Sequence, residues 1–294
     1  MTTSKVTGSV TTSNVTGSVT TSKVTESDTT SHIAEAPTAF PGSSRVETVM
    51  GRPVTIDIRT PLPARELTPL LDDAFAWLRW VEDTFSPGKE DSQISRLNRG
   101  GTIKQVPELI EVLHRCEELS EATGGWFDAR INGVTDPSGY VKGWALERLS
   151  RALVQAGAGD HRITAGYDVR VRGSAAPGRR WRVPVRDPRT GEVRRMVRAH
   201  DLGIATSGGS RVVDPHTGEV RDALGAVTVI GPDLGLADAY ATAMYAMGPV
   251  RARRYATELA GKGPYETLIV LHDGQELTTP GFATYGGPRE RLAG

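Results

Sequence analysis

Two oxygen-bearing side chains stand four residues apart in an otherwise apolar segment, "GLADAYATAMYAMG" (residues 235–248). At 3.6 residues per turn, Asp238 and Thr242 would lie on one face of a helix, one turn apart. A carboxylate among apolar residues needs a partner because taking it out of water costs free energy. Oxygen ligands of this kind suit a hard cation. A capping role or a hydrogen bond within the core is the alternative that the spacing leaves open.

The stretch "DPSGYVKGWALE" (residues 136–147) places a lysine at the beginning of a predicted helix. The free backbone N–H groups of a helix N-terminus, together with Lys142, suit a phosphate. An Asp-Pro turn that leads into an ordinary helix explains the same residues equally well. The stretch therefore predicts where a helix begins and leaves an anion site open.

The densest polar loop is "TSGGSRVVDPHTGEV" (residues 206–220). Backbone N–H groups that follow Ser207 suit an anion. Asp214 and Gly218 predict a tight turn that presents His216, whose ordinary pKa of about 6.5 suits proton transfer. A turn of this composition also forms without any catalytic role. The sequence does not favour either interpretation, a catalytic histidine or a purely structural turn.

Two further polar stretches have simple structural explanations. The segment over residues 84–100 contains Ser92 in a polar cluster, which is typical of a capped short helix on the surface. Asp168 follows Gly166 between two predicted strands, which is typical of a turn. Neither stretch predicts chemistry by itself.

The elements that carry these residues predict an α+β fold. Alternating apolar residues over 45–59 predict a β-hairpin that turns at Met50-Gly51. Apolar spacing then predicts helices over about residues 67–85, 107–122 and 141–157. Strands follow, then the helix that holds Asp238, a further helix and a last strand. Helices first and hairpin-like strands later favour a largely antiparallel sheet packed with helices.

The first 40 residues differ from the remainder of the chain. A nine-residue repeat rich in Thr, Ser, Val and Gly begins at Thr2, Thr11 and Thr20, and it lacks the large apolar residues that form a core. We therefore expect a disordered tail over residues 1–44, one domain over 45–285 and a flexible C-terminal tail over 286–294.

The composition excludes several classes of protein. The chain balances 35 Lys and Arg against 35 Asp and Glu, which gives no electrostatic reason to expect nucleic acid or an anionic membrane as partner. Its single cysteine, Cys116, excludes an internal disulfide and a multi-cysteine metal site. No apolar run approaches the roughly 18 residues of a membrane span, and no secretion signal is recognisable. We expect a cytoplasmic protein without membrane insertion.

The order of the short motifs resembles the ApbE family, the FAD:protein FMN transferases, over about residues 45–280. In chain order these motifs are Met50-Gly51, "FS....DS.ISRLN", "GG.FD", "DPSG.VKG.A", "AG.D", "ATSG", "DP.TG" and "ADA.ATA". The resemblance implies an α+β fold with FAD in a cleft between two subdomains. It also implies a magnesium-dependent enzyme that passes the FMN half of FAD to a threonine hydroxyl of a partner flavoprotein and releases AMP. Hydrolysis of FAD to FMN and AMP, or a non-catalytic FAD-binding relative, are the alternatives.

Matching the family's motifs residue by residue assigns an expected site. Asp238 and Thr242 match the metal-binding positions, and the main-chain carbonyl of Val141 is the expected third ligand. Lys142 is expected beside the phosphates. The positions expected to line the flavin and adenosine cleft are Met50, Ser92, Asp136, Lys142, Asp168 and Ser207.

The chain departs from the family pattern at two places. Gly88 stands where the family usually has a tyrosine, which removes an aromatic surface for the flavin or adenine, and Tyr167 is a candidate replacement. Arg211 stands where the family has a histidine proposed as the base for the acceptor threonine. Because arginine stays protonated, we expect Arg211 to stabilise developing phosphate charge and His216 to be the candidate base.

Overall fold

A computed structural model describes residues 42–209 and 212–286 of the chain. Over these residues the helices are α1 (Ala64–Phe85), α2 (Gln93–Asn98), α3 (Pro107–Ala122), α4 (Ser138–Gln155) and α5 (Leu234–Lys262), with a 3-10 turn over Pro280–Thr284. The strands are β1 (Ser43–Val49), β2 (Arg52–Ile58), β3 (Arg130–Ile131), β4 (Val134–Thr135), β5 (His161–Ala165), β6 (Asp168–Arg172), β7 (Trp181–Arg186), β8 (Val193–Ala199), β9 (Gly203–Ser207), β10 (Ala226–Gly231), β11 (Glu266–Val270) and β12 (Glu276–Thr278).

The main sheet of the described residues has eight strands in the order β1-β2-β5-β6-β9-β10-β11-β12. Each neighbouring pair is antiparallel. Strands β7 and β8 form a separate antiparallel hairpin. The predicted α+β fold with a largely antiparallel sheet is therefore confirmed.

The predicted hairpin of β1 and β2 turns at Met50 and Gly51, whose φ angles are 55° and 68°. Two successive residues with positive φ are what a two-residue turn needs to match the twist of its strands. Glycine adopts this conformation without strain, whereas Met50 does so at a cost of about 1–2 kcal/mol. The turn thus holds a strained non-glycine residue at one end of the sheet.

Hydrophobic cores cover both faces of the sheet. Val227 and Val229 of β10 belong to a core that includes residues of α1, α3, α4 and α5, whereas Ala226 and Ile230 belong to a core shared with β7 and β8. Because successive side chains of a strand point to opposite faces, helices pack on one face and the β7–β8 hairpin packs on the other.

Helix α5 is bent where the sequence predicts a division between two helices. Gly248 has φ 71° and ψ 176° and is followed by Pro249, which cannot donate the hydrogen bond that would continue the helix. The segments before and after this kink correspond to the two predicted helices. Gly143 of α4 lets the two helices approach closely, since a methyl group there would lie 2.5 Å from the carbonyl oxygen of Leu234.

The described part of the chain contains no helix that is long and apolar enough to cross a membrane. Cys116 is buried in α3, as its position among apolar residues predicts. The first strand of the described residues, β1, begins at Ser43. Residues 1–41 and 287–294, which hold nearly all of the two predicted tails, lie outside the described residues.

Candidate functional site

One lysine and two buried aspartates meet where α4 and α5 contact the sheet. Nζ of Lys142 lies 2.5 Å from Oδ2 of Asp168 and 3.6 Å from Oδ1 of Asp238. Both carboxylates are almost wholly buried, with 0% and 2% of the residue exposed. The second oxygen of Asp238 accepts a hydrogen bond from the N–H of Gly143 at 3.1 Å. Two carboxylates therefore share a single ammonium group.

The pKa values of Asp238 and Lys142 are both raised in this cluster. Burial raises the pKa of Asp238 to about 7, although Lys142 works in the opposite direction and the neighbouring Asp168 adds to the rise. Burial disfavours the charged form of Lys142, but Asp168 and Asp238 outweigh it and raise the pKa of Lys142. The lysine is thus firmly charged, while Asp238 lacks a full counter-charge.

Hydroxyl oxygens extend the cluster beyond the charged groups. Thr242 lies one turn after Asp238 in α5, and its Oγ1 lies 3.2 Å from Oγ of Ser207 at the end of β9. Gly139 of α4 lies close to Thr242, since a methyl group at Gly139 would be 3.2 Å from Cγ2 and 3.4 Å from Oγ1 of Thr242. The predicted helical face of Asp238 and Thr242 is confirmed, and it points towards a strand end.

The oxygen atoms of this cluster have the chemistry that a hard divalent cation requires. Among the described residues, no group of three or more His, Cys, Asp or Glu side chains is placed to hold a metal ion. A cation beside Asp238 would therefore use hydroxyl and main-chain oxygens as well as the carboxylate. Thr242 offers a hydroxyl, and the predicted third ligand, Val141, is the neighbour of Lys142 in α4.

The strand register brings three predicted cleft residues to one end of the sheet. Met50 lies in the turn between β1 and β2, and Asp168 begins β6 directly after the turn at Gly166. Ser207 ends β9, and the N–H of the preceding Thr206 donates to Oδ1 of Asp168 at 3.0 Å. Asp168 is therefore a buried anchor of the site, and the interpretation of a simple turn misses this role.

Ser92 and Asp136 have clear local functions in the structure. Oγ of Ser92 accepts from the N–H of Ser95 at 3.0 Å and donates to the carbonyl of Ser86 at 2.6 Å, so it caps α2 as its sequence predicts. Asp136 is exposed, and its Oδ1 accepts from the N–H of Ser138 at the start of α4. Their predicted contacts with FAD stay predictions.

His216 lies on the tight turn that the sequence predicts. Its N–H donates to Oδ1 of Asp214 at 2.9 Å, and Gly218 has φ 73°. The imidazole is exposed and contacts the indole of Trp126 edge-on, with ring centroids 4.4 Å apart. No hydrogen bond or ion pair between described residues joins this ring to Lys142. Arg211, the other predicted catalytic residue of this loop, lies outside the described residues.

The sequence contains a second copy of this turn, outside the family motifs. The heptapeptide D-P-x-T-G-E-V begins at Asp187 and again at Asp214. In both copies the aspartate Oδ1 accepts from the N–H two residues later at 2.9 Å, and the glycine N–H donates to the aspartate carbonyl at 2.8 Å. Arg189 in the first copy therefore holds the position of His216 in the second.

The first copy of the turn packs beside the site. A methyl group at Gly208, next to Ser207, would lie 2.8 Å from Cγ of Pro188. The hydroxyl of Tyr167, the predicted aromatic replacement, donates to the carbonyl of Pro188 at 3.3 Å. The repeated heptapeptide is the feature of the sequence that could have pointed to the turn at Asp187 as a neighbour of the site.

A groove of about 670 Å³ between α3 and α4 contains none of the predicted site residues. Its lining is charged with both signs and includes Glu111, Arg148 and Asp233. Of the predicted residues, Asp168, Asp238, Thr242 and Ser207 lie instead at the sheet end near Lys142.

Known proteins match both the sequence and the fold. The sequence model of the ApbE family matches residues 50–136 and 132–264. The FAD:protein FMN transferase of Klebsiella pneumoniae is 30% identical over 171 residues, which are 53% of this chain and 46% of that protein. The enzyme of the same name from Rhodobacter capsulatus is 30% identical over 279 residues, 74% of this chain and 53% of that protein. The chain thus spans about half the length of the curated relatives it matches.

Solved structures share the architecture at low sequence identity. The ApbE protein of Thermotoga maritima aligns with a TM-score of 0.74 and 21% identity, over 84% of this chain and 100% of that one. The flavin transferase ApbE of Vibrio cholerae aligns with a TM-score of 0.71 and 20% identity, over 83% of this chain and 100% of that one. These likenesses show a common fold, and the family model covers well over half of the sequence. The chain therefore belongs to the ApbE family.

Proposed function

We propose that this chain transfers the FMN half of FAD to a threonine hydroxyl of a partner flavoprotein and releases AMP, with the help of Mg²⁺. The observation that carries the proposal is the cluster of Asp238, Thr242 and Ser207 oxygens beside the Lys142 ammonium. The name FAD:protein FMN transferase, which relatives carry, supports the reaction type. The proposed location is the cytoplasm, on the sequence evidence alone.

In this proposal, Asp238, Thr242 and the carbonyl of Val141 hold the cation. When bound, Mg²⁺ would neutralise negative charge on the two phosphates of FAD while the bond between them breaks. The buried carboxylate of Asp238 favours such binding because Lys142 is closer to Asp168 than to Asp238 and offsets its charge incompletely. Lys142 would contact the phosphate oxygens.

The proposed transfer is a nucleophilic displacement at phosphorus. The threonine Oγ of the acceptor forms a bond to the phosphorus of the FMN half, and the bond from that phosphorus to the bridging oxygen breaks. AMP leaves with the bonding electron pair, and the hydroxyl proton passes to a base. We assign the proton to His216 and the stabilisation of phosphate charge to Arg211, as the motif comparison predicts.

A second candidate reaction is hydrolysis of FAD to FMN and AMP, with water in the place of the threonine. Gly88 favours it, because the aromatic ring usual in the family is missing there, and a Cβ at this position would have only Oγ of Ser86, at 3.7 Å, among its close neighbours. The space beside α2 thus lacks a group that would cover a bound flavin or adenine.

The test is AMP release from FAD, with and without Mg²⁺ and a recombinant acceptor domain, followed by in-gel flavin fluorescence. A fluorescent acceptor band with an equal amount of AMP is the expected result. AMP and free FMN without a labelled band would replace transfer with hydrolysis. Bound FAD without either product would mean a non-catalytic binder.

Matched variants assign the base in the same assay. His216→Asn should slow labelling of the acceptor by about 10²–10⁴-fold, the usual contribution of a positioned base. His114→Asn changes an exposed histidine of α3 and should label the acceptor at the wild-type rate. Equal rates for His216→Asn and wild type would remove His216 from the mechanism.

A further inference from the structure

An arginine that no family motif singles out lies at the same end of the sheet as the site. Arg52 begins β2 directly after the Met50-Gly51 turn. Its guanidinium lies over Gly166, since a methyl group there would be 2.6 Å from Nη1 of Arg52. The pairing of Val54 with Ala165 fixes this position, because it brings the first residue of β2 beside the turn that precedes Asp168.

The fold does not provide a counter-charge for Arg52 among the described residues. Within residues 42–209 and 212–286, no carboxylate lies within ion-pairing distance of Arg52, and the side chain is only partly exposed. Its positive charge is close enough to Lys142 to oppose the rise in the pKa of that lysine. An unpaired guanidinium beside a second cation is unfavourable unless an anion joins them.

We propose that Arg52 is a second cationic contact, besides Lys142, for the diphosphate of FAD. This inference rests on the proposed function, because it assigns a further residue to the same site. The planar guanidinium presents parallel N–H donors that match two phosphate oxygens, whereas the Lys142 ammonium offers a single charged centre. A diphosphate brings two negative charges to a cluster where Lys142 already faces two carboxylates, and Arg52 supplies the additional positive charge.

The test compares ligands that differ in phosphate content. Binding of FAD, ADP and riboflavin to the full chain is measured by calorimetry for the wild type, Arg52→Gln and Arg52→Lys. Arg59→Gln is the matched control, because Arg59 follows the opposite end of β2, is also partly buried and has no ion pair among the described residues. Thermal unfolding of each variant checks that the fold is retained.

Arg52→Gln should weaken the binding of FAD and of ADP by about 10- to 100-fold, which is the loss expected for a hydrogen-bonded charge pair. It should leave riboflavin unchanged. Arg52→Lys should give an intermediate loss, and Arg59→Gln none. Unchanged FAD and ADP binding by Arg52→Gln would overturn the inference, as would an equal loss for riboflavin. If the wild type itself binds neither FAD nor ADP, the proposed function fails and this inference fails with it.

Discussion

Nζ of Lys142 lies 2.5 Å from Oδ2 of Asp168, an aspartate without exposed surface. The other oxygen of Asp168 accepts from the N–H of Thr206, so one carboxylate joins α4, β6 and β9. This contact places the ammonium at the sheet end where the hydroxyls of Ser207 and Thr242 meet. The ion pair therefore fixes the position of the site as well as its charge.

Replacing Lys142 should lower the stability of the fold. Lys142→Met leaves Asp168 and Asp238 buried with no counter-charge, and we expect the free energy of unfolding to fall by about 3–5 kcal/mol. Urea denaturation at neutral pH measures the change. Adding Asp168→Asn to the variant should recover part of the loss, because it removes one unpaired carboxylate. No difference between the wild type and Lys142→Met would contradict a buried ion pair.

Removing the hydroxyl of Thr242 should weaken cation binding. Thr242→Val keeps the side-chain shape but removes an oxygen ligand, so Mg²⁺ binding measured by calorimetry should weaken by about tenfold or more. Thr257→Val is the control, because the Thr257 hydroxyl lies on the exposed face of α5 and bonds only the carbonyl of Arg253 within the described contacts. Equal Mg²⁺ affinity in the two variants would exclude Thr242 as a ligand.

Close approach of α4 and α5 should make Gly143 intolerant of a side chain. Gly143→Ala places a methyl group 2.5 Å from the carbonyl oxygen of Leu234 and 2.9 Å from Cβ of Asp238. We expect a loss of about 1–3 kcal/mol in unfolding free energy, measured by urea denaturation. Gly261→Ala, at an open position in α5, should instead be neutral or stabilising by up to about 1 kcal/mol. A neutral Gly143→Ala would mean that the helices pack less closely.

A buried histidine away from the site should make stability depend on pH. His161 is fully buried, with Nδ1 donating to the carbonyl of Ala158 and Nε2 accepting from Ser150, and burial lowers its pKa from 6.5 to about 4. Because the unfolded chain binds the proton more tightly, stability should fall by about 3 kcal/mol as the pH drops from about 6.5 to 4. Denaturation midpoints measured across this range for the wild type and His161→Gln test it. The variant should lose this part of the pH dependence, and parallel curves would disprove the assignment.

Restoring the missing aromatic ring should strengthen FAD binding. Gly88 has open space around it and a backbone conformation that accepts a side chain, so Gly88→Tyr should fold normally. Stacking on a flavin or adenine should tighten FAD binding by about two- to tenfold, as measured by quenching of flavin fluorescence. Gly159→Tyr, at an open position elsewhere, should have no effect. The same affinity for all three proteins would mean that α2 does not contact FAD.

Local patterns determined the secondary structure of this chain. Side chains that act within a few residues account for four of these features: the turn at Met50-Gly51, the end of α3 at Ala122, the Ser92 cap and the Asp214 turn. The facing of Asp238 and Thr242 also follows from the period of a helix. Such features depend on sequence spacing and backbone sterics, and so they can be predicted without knowledge of the fold.

Only the tertiary structure decided which distant residues share a charge or a contact. Asp168 has the sequence of a turn residue, yet strand pairing and the packing of α4 make it the buried partner of Lys142. Arg52 and Gly166 become neighbours through the register of β2 and β5, which no local period specifies. Burial changes the free energy of a charged group only after the chain has folded around it, and the sequence does not encode that environment locally.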